Sequence, residues 1–140
     1  MAKKILKLDA PEEYEFGLLA VICNLKDYKF CFELNETLHV HLKRLKDVEL
    51  ADAKRNRSLF TNYFSKMNFS ELRVVVNKGS KGFLIPEKKN IDYFLIVNNA
   101  EKKFMKEFSE LLKTQPWLQG VYVMQPAELK SVDNFLFFSN

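Results

Sequence analysis

Glu87 and Asp92 are the two residues of this sequence that most resemble a general acid–base pair. They flank Lys88 and Lys89, and paired carboxylates can perform acid–base catalysis when one of them stays protonated. The two lysines favour the ionised form of both carboxylates, which does not suit a general acid. Glu87 also follows Pro86 directly, as in the first turn of a short helix. We therefore expect structural roles here, and an enzyme using Glu87 and Asp92 is the least favoured of three hypotheses.

The only histidines of the chain are His39 and His41. Residues two apart on a strand point to the same face, so the pair could supply two metal ligands. A zinc site is built from about four ligands, and the sequence offers no further Cys/His cluster. We predict surface strand residues beside Lys43 and Arg44, and neither a metal nor a cofactor.

Cys23 and Cys31 are the only cysteines, and their spacing of eight fits neither a CxxC motif nor a zinc knuckle. Cys23 precedes a predicted helix, whose N-terminal dipole could lower the pKa of its thiol. Packed thiols in a reducing compartment are the favoured interpretation. The sequence contains no GxSxG, SxxK, HExxH or P-loop motif. We predict that the protein is not an enzyme.

Basic residues are concentrated in the middle of the chain. The net charge is −2 over residues 1–38, +7 over residues 39–90 and −1 over residues 91–140. This asymmetry carries more information than the total of +4, because clustered cations indicate an acidic partner or a nucleic acid. A run of charge is nevertheless more often a solvated face than a binding surface.

Aromatic residues lie among these cations, on a predicted strand that contains Phe60, Tyr63 and Phe64. Single-stranded RNA is bound by neutralising phosphates and stacking bases. The alternative hypothesis is therefore an RNA- or ribosome-associated protein that uses residues 39–90, although the aromatics can equally be core residues. The candidate contacts to RNA or to an acidic partner are Lys43, Arg44, Lys54, Arg55, Arg57, Lys78, Lys81, Lys88 and Lys89.

Two strand–helix units position these residues. Residues 16–23 form an apolar run typical of a strand buried on both faces. Asn24 followed by Asp27 resembles a capped helix start, and it predicts a helix over residues 25–38. The apolar arc of this helix would comprise Leu25, Tyr28, Cys31, Phe32 and Leu38. The second unit predicts a strand over residues 91–97 and a helix capped by Asn98 or Asn99.

The remaining elements follow from alternation and from turn residues. The second helix carries its apolar stripe at Phe104, Phe108, Leu111 and Leu112. Further strands are predicted over residues 3–9, 39–45, 59–67, 72–77, 83–85 and 120–124, with a loop over 48–56 and a turn over 78–82. The apolar tail, residues 135–138, is expected to pack onto the body.

Composition indicates one ordinary globular domain. The chain has 140 residues, 47% of them apolar and 29% charged, and no Pro/Gly/Ser-rich linker divides it. We predict a single α+β domain over residues 1–140. Two helices pack on one face of a mixed or antiparallel sheet, with strand–helix–strand units at each end around an antiparallel meander. No signal-peptide pattern or run of roughly 18 apolar residues occurs, so we expect a cytoplasmic protein without a membrane role.

One short motif carries a resemblance to a known family. It consists of Ile85, Pro86 and Glu87, followed after three residues by Ile91, Asp92 and Tyr93. This pattern resembles the IPExxxVDY family of small proteins of Bacteroidetes-type bacteria, with Ile91 where the name of the family has Val. The resemblance extends over nearly the whole chain and implies no assigned activity, cofactor or catalytic residue. By residue chemistry alone, the motif can fix a strand-to-strand crossover without a ligand.

The leading hypothesis is a non-enzymatic binding or adaptor module that acts on a protein partner. It rests on the absence of a catalytic constellation from the sequence. A homodimer formed through an exposed sheet edge is one form that such a module can take. The identity of the partner does not follow from the sequence.

Overall fold

A six-stranded antiparallel sheet forms the centre of the structure, a computed structural model that describes residues 16–52 and 54–138. The strands are β1 (Phe16–Ile22), β2 (Lys43–Ala51), β3 (Arg57–Lys66), β4 (Glu71–Val76), β5 (Tyr93–Asn98) and β6 (Gly120–Met124). Their spatial order is β2-β3-β4-β5-β1-β6, and every neighbouring pair is antiparallel. The predicted strand over residues 3–9 lies outside the described residues.

Both α-helices of the described chain pack on one face of this sheet, as predicted. Helix α1 (Asp27–Leu38) connects β1 to β2, and helix α2 (Lys102–Lys113) connects β5 to β6. Each helix joins two strands that run in the same direction, because an even number of antiparallel steps separates them in the sheet. The predicted α+β class, with a strand–helix–strand unit at each end of an antiparallel meander, is thus confirmed. No helix among the described residues has the length and apolarity needed to cross a membrane.

The alternation of β-strand side chains divides the core into two layers. On the helix face, Leu19, Val74 and Leu95 pack against Phe30 of α1 and Phe108 of α2. On the opposite face, other side chains of the same strands pack against the segment 77–92 and against residues 126–138, called here the C-terminal segment. This segment consists of two short 3₁₀ helices, Pro126–Glu128 and Val132–Phe138. The predicted packing of the tail is therefore observed.

The start and the buried face of α1 differ from the prediction. The residue before the first helical turn is Lys26, while the N–H of Asn24 donates to Gln119 Oε1 at 2.9 Å. The buried side chains of the helix are Phe30, Cys31 and Leu34, whereas Tyr28 and Phe32 of the predicted arc are 63% and 59% exposed. The predicted arc is therefore wrong at Tyr28 and Phe32, because the helix packs on the sheet through Phe30 instead.

Two predicted strands are corrected. His39 is not in a strand: it ends α1 with a left-handed φ of 57°. The strand β2 begins only at Lys43 and extends to Ala51, through part of the predicted loop. Phe83 forms an isolated bridge with Lys78 instead of a returning strand. Leu84 and Ile85 then turn into the core on the face opposite the helices, because no described α-helix covers that face.

The start of α2 is also corrected. The residue that precedes the helix is Glu101, neither Asn98 nor Asn99. Asn98 ends β5, and its side-chain amide donates to Glu71 Oε1 at 2.9 Å. Asn99 has a positive φ of 56°, a conformation that Asn tolerates better than most residues. It therefore belongs to the turn between strand and helix.

Candidate functional site

Asn77, at the end of β4, holds the motif segment (residues 85–93) in place. Its side chain is fully buried. Its amide Nδ2 donates to the carbonyls of Lys88 and Ile91 at 2.9 Å, and its Oδ1 accepts from the N–H of Ile85 at 2.9 Å. One buried amide thus satisfies three backbone groups of an irregular loop. Sequence reasoning missed this residue, although an Asn directly after a buried strand was a visible signal.

Glu87 connects the motif segment to the C-terminal segment. Its carboxylate accepts the N–H and the hydroxyl of Ser131, each at 2.9 Å. Partial burial, the largest single influence, raises the pKa of Glu87, but the hydrogen bonds from Ser131 and neighbouring backbone together outweigh it. The pKa is therefore held below its ordinary value of 4.5. At neutral pH, Glu87 is ionised and links the two segments through Ser131.

Asp92 faces a different part of the chain. Its Oδ2 accepts the N–H of Cys23 at 2.9 Å, and its own N–H donates to the carbonyl of Val21 at 2.9 Å. Asp92 thereby satisfies backbone groups at the end of β1. Because Glu87 and Asp92 bind separate segments, the structure does not bring them together as an acid–base pair.

Tyr93 fixes α1 on the sheet. Its ring stacks on that of Phe30, with ring centroids 4.1 Å apart and planes 6° apart. Its hydroxyl donates to the carbonyl of Leu25 at 2.5 Å. Burial, followed by the nearby Asp27 carboxylate, raises the pKa of Tyr93, so the hydroxyl keeps its proton and remains a donor. The motif therefore contacts both the β1–α1 connection and, through Glu87, the C-terminal segment.

The two cysteines and the two histidines are not assembled into a site. Cys23 Sγ donates to the carbonyl of Trp117 at 3.3 Å, and both thiols are buried and free. Burial raises the pKa of Cys31 to about 12. His39 and His41 are exposed and precede β2, so they do not share a strand face as predicted. Among the described residues, no three His, Cys, Asp or Glu side chains are grouped for a metal ion.

The nine candidate basic residues do not form one face. Lys43 and Arg44 are consecutive in β2 and point to opposite faces of the sheet. Two of the nine are in ion pairs: Arg44 with Asp47 at 3.3 Å, and Arg57 with Glu49 at 3.5 Å. Lys54 and Arg55 lie in the β2–β3 turn, and Lys78 and Lys88 lie on the segment 77–92.

Lys81 and Lys89 are the two candidates that the structure brings together. Both line a cavity of about 280 Å³, called here the hairpin cavity, between the β2–β3 hairpin and the segment 77–92. The aromatic strand does not supply the expected stacking surface, because Phe60 and Tyr63 are 3% and 7% exposed. Phe64 is half-buried, with the guanidinium of Arg73 5.1 Å from its ring centroid.

A larger groove lies at the other end of the sheet, on its helix face. It has a volume of about 1040 Å³ and lies between the end of α1, the β3–β4 turn and α2. The apolar side chains that line this helix groove are Leu38, Val40, Met67, Phe69, Ala100, Phe104, Phe108 and Leu111. Sequence reasoning missed the groove, since its walls come from three separate elements.

Phe69 is the most exposed large apolar side chain of the groove. It lies in the β3–β4 turn and is 98% exposed, compared with 40% for Phe104 and 44% for Leu111. The turn itself is closed by a hydrogen bond from the N–H of Met67 to the carbonyl of Ser70 at 2.8 Å. A hydrogen-bonded turn therefore presents a phenylalanine to solvent beside an apolar groove. The signal in the sequence was an aromatic residue between Asn68 and Ser70, both turn formers.

The charged residues that line the helix groove form no ion pairs with one another among the described residues. Glu101 and Glu107 line it from the α2 side, and Lys66 and His39 line it from the opposite side. Neither glutamate forms an ion pair with a described cation, because the two ion pairs among the described residues involve only β2 and β3. The α2 wall of the groove is thus acidic at neutral pH.

No protein-family model and no curated protein matches the chain. The resemblance of the motif segment to the IPExxxVDY family therefore stays a prediction. The structure gives most of the motif residues a role of their own: Ile85 and Ile91 are buried, Glu87 binds Ser131, Asp92 binds the backbone of Cys23 and Tyr93 stacks on Phe30.

Proposed function

We propose that this protein is a non-enzymatic binding module that holds an apolar segment of a partner protein in the helix groove. The observation that carries this proposal is the 98% exposure of Phe69 at the mouth of that groove. Single exposed apolar residues are common on protein surfaces, but an exposed aromatic that continues an apolar groove is the usual mark of an interaction site. Aromatic side chains of this kind supply much of the free energy of protein–protein binding.

The occupant that fits the groove is an amphipathic helix with basic flanks. Its apolar side chains, spaced at i, i+3 or i+4 and i+7, would contact the groove between Phe69 and Leu111. Lysine or arginine at its ends would pair with Glu101 and Glu107, which have no ion-pair partner among the described residues. A negatively charged segment is disfavoured by the same two carboxylates.

Selection from a random peptide library tests this function without knowledge of the natural partner. Wild-type protein is the bait, and the enriched peptides are titrated against wild type, Phe69→Ala and Phe137→Ala. Phe137 is the matched control, because it is 62% exposed but belongs to the C-terminal segment. We expect apolar peptides with Lys or Arg flanks whose dissociation constant rises at least about tenfold in Phe69→Ala only. Equal binding to Phe69→Ala would overturn the proposal.

We further propose that the protein acts in a reducing compartment such as the cytoplasm and belongs to the IPExxxVDY family. The two free, buried thiols support the first proposal. The second is supported by the motif, because Ile91, which stands where the family name has Val, is buried among apolar side chains. Valine at this position would occupy the same environment with one methylene fewer.

Self-association through β6 is a second candidate. In the described sheet, the outer strands are β2 and β6. The strand β2 carries several charges and a register shift between Leu45 and Val48, which protect an edge from pairing. The strand β6 has no charged residue, and its Tyr122 and Val123 are 51% and 44% exposed. A second copy could therefore pair with β6.

Sedimentation over a range of protein concentrations tests this candidate. We expect a concentration-dependent dimer in the wild type and a monomer in Val123→Lys, because a lysine on an edge strand opposes pairing. A wild type that stays monomeric from micromolar to near-millimolar concentration would contradict self-association and leave the helix groove unaffected.

A further inference from the structure

We propose that the hairpin cavity is a second binding site, which takes the phosphate of a nucleotide. It lies on the sheet face opposite the helix groove, because Phe60 at its base belongs to the core layer that the C-terminal segment covers. The two sites are therefore independent, and this inference goes beyond the protein-binding function proposed above.

The cavity combines an apolar wall with two ammonium groups. Besides Gly82, its apolar lining consists of Leu50, Ala51, Phe60, Phe83 and Pro86, and its polar lining consists of Asp52, Asn56, Ser58, Lys81, Lys89 and Asn134. Ligand sites are typically apolar cavities of about 300–1,000 Å³ with a few convergent polar groups. At about 280 Å³, this cavity suits one small ligand.

The cations in and beside the cavity form no ion pair with a described carboxylate. Lys81 and Lys89 line it, Lys54 and Arg55 lie in the adjoining hairpin turn, and none of the four forms an ion pair with a described residue. Lysine ammonium groups bind phosphate as point charges. Convergent unpaired cations at a concave, partly apolar surface raise the local concentration of anions.

Asp52 is the one carboxylate among the described residues that lines the cavity, and its oxygens are already bound. Oδ1 accepts the N–H of Lys54 at 2.8 Å and that of Asn56 at 2.9 Å, while Oδ2 accepts the side-chain amide of Asn56 at 3.3 Å. The carboxylate is thus directed into the hairpin turn, which it caps. Two lysines against one engaged aspartate leave the cavity net positive.

The loop that carries Lys81 is held in a fixed position. The N–H of Lys81 donates to Ser58 Oγ at 3.0 Å, and the N–H of Leu59 donates to Ser80 Oγ at 2.9 Å. A Cβ on Gly79 would overlap Ser58 Oγ and the Phe60 ring, so only glycine permits this close approach. A site held in advance by its supporting contacts loses less entropy when a ligand binds.

The apolar wall of the hairpin cavity suits a flat ring attached to the bound phosphate. The Lys89 ammonium lies 5.8 Å from the centroid of the half-buried Phe83 ring, which keeps it near the cavity by a cation–π contact. A phosphate bound by Lys81 and Lys89 would leave an attached base against the apolar wall of Phe83 and Pro86. The ligand chemistry is therefore a nucleoside phosphate, whether a free nucleotide or one residue of single-stranded RNA.

Calorimetric titration of the full chain at low salt tests the site and separates the two sources. The probes are inorganic phosphate, AMP, UMP and an oligouridylate of about eight nucleotides. The test variant is Lys81→Ala/Lys89→Ala, and the matched control is Lys102→Ala/Lys106→Ala, which removes two exposed lysines from α2. All four positions are exposed, and an unchanged amide spectrum establishes that each variant is folded.

We expect the mononucleotides to bind the wild type more tightly than inorganic phosphate does. Affinity should fall at least about tenfold in the test variant and stay within about twofold in the control. An oligouridylate that binds no more tightly than UMP would identify a free nucleotide as the ligand. Tighter binding with a steep salt dependence would identify RNA. The proposal is overturned if neither probe class binds, or if the test variant and the wild type bind equally.

Discussion

The carboxylate of Glu87 accepts both the N–H and the hydroxyl of Ser131, 44 residues later in the sequence. These two hydrogen bonds join the motif segment to the C-terminal segment, and both segments cover the sheet face on which no described α-helix packs. The pair of contacts is called here the Glu87 clasp. A layer of irregular chain depends on such contacts, because it has no repeating hydrogen-bond ladder of its own. Glu87 therefore stabilises the cover over the second core layer.

The clasp predicts a pH-dependent loss of stability. The folded-state pKa of Glu87 lies below its ordinary value of 4.5, so its contribution is complete above that value. It is lost as the pH falls through the lower, folded-state pKa. Glu87→Gln should lower the free energy of unfolding by roughly 0.5–1 kcal/mol at neutral pH, since the bonds of an exposed side chain compete with water.

Urea unfolding at neutral pH and at about pH 3 checks this prediction. The difference between wild type and Glu87→Gln should shrink at the lower pH, because protonation of Glu87 removes the charge that distinguishes the two side chains. Glu128→Gln is the matched control, because Glu128 is also exposed and lies in the neighbouring 3₁₀ helix. A difference that is the same at both pH values would contradict an ionised clasp.

Removal of the Asn77 side chain should be far more damaging. Asn77→Ala leaves the N–H of Ile85 and the carbonyls of Lys88 and Ile91 without their partner. We expect a loss of about 3 kcal/mol or more, because buried backbone groups become unsatisfied. Asn90→Ala, at an exposed position of the same segment, should cost less than about 0.5 kcal/mol. Similar unfolding midpoints for both variants would refute this role.

The two contacts of Tyr93, its hydrogen bond and its ring stack, can be removed separately by substitution. Tyr93→Phe keeps the stack on Phe30 and removes the hydrogen bond to the carbonyl of Leu25, with an expected cost of about 1–2 kcal/mol. Phe30→Ala removes the stack from a fully buried site, with an expected cost of about 3–5 kcal/mol. Thermal unfolding of both variants measures the two losses. A larger loss of stability in Tyr93→Phe than in Phe30→Ala would contradict the predicted ranking of the two contacts.

Gly17 permits α2 to lie close to β1. A Cβ at this position would overlap the Met105 side chain, which is 4% exposed. Gly17→Ala should therefore cost about 1–3 kcal/mol. Because Met105→Ala vacates that space, the double variant should lose less than the sum of the single losses by about 1 kcal/mol or more. Strict additivity in this double-mutant cycle would show that the two residues do not meet.

The sequence predicted those elements whose signal is local. The strands β1 and β5 are apolar runs buried on both faces, and α2 carries an amphipathic stripe. The start of α1 was wrong because Asn24 is bound by Gln119, 95 residues away. The strand expected at Phe83 failed because Leu84 and Ile85 cover a core layer whose other half lies in the C-terminal segment.

The candidate sites were less predictable for the same physical reason. The unusual residues of the motif segment marked its place in the sequence, but its contacts with Asn77 join separate parts of the chain and were not predicted. Of nine basic candidates, only Lys81 and Lys89 meet at one cavity, since β-strand alternation separates neighbours such as Lys43 and Arg44. The helix groove is formed by residues of two helices and a turn. A hydrophobic period within one element cannot predict a surface that three elements form together.

The central claim is that the helix groove, with Phe69 at its mouth, binds a partner segment. The most direct measurement is a titration of isotope-labelled protein with a library-selected peptide, followed by amide chemical shifts. We expect the largest changes in the turn 66–70 and in residues 99–111, and their loss in Phe69→Ala. Shifts that cluster on β6 or at the hairpin cavity, or that persist in Phe69→Ala, would contradict the account.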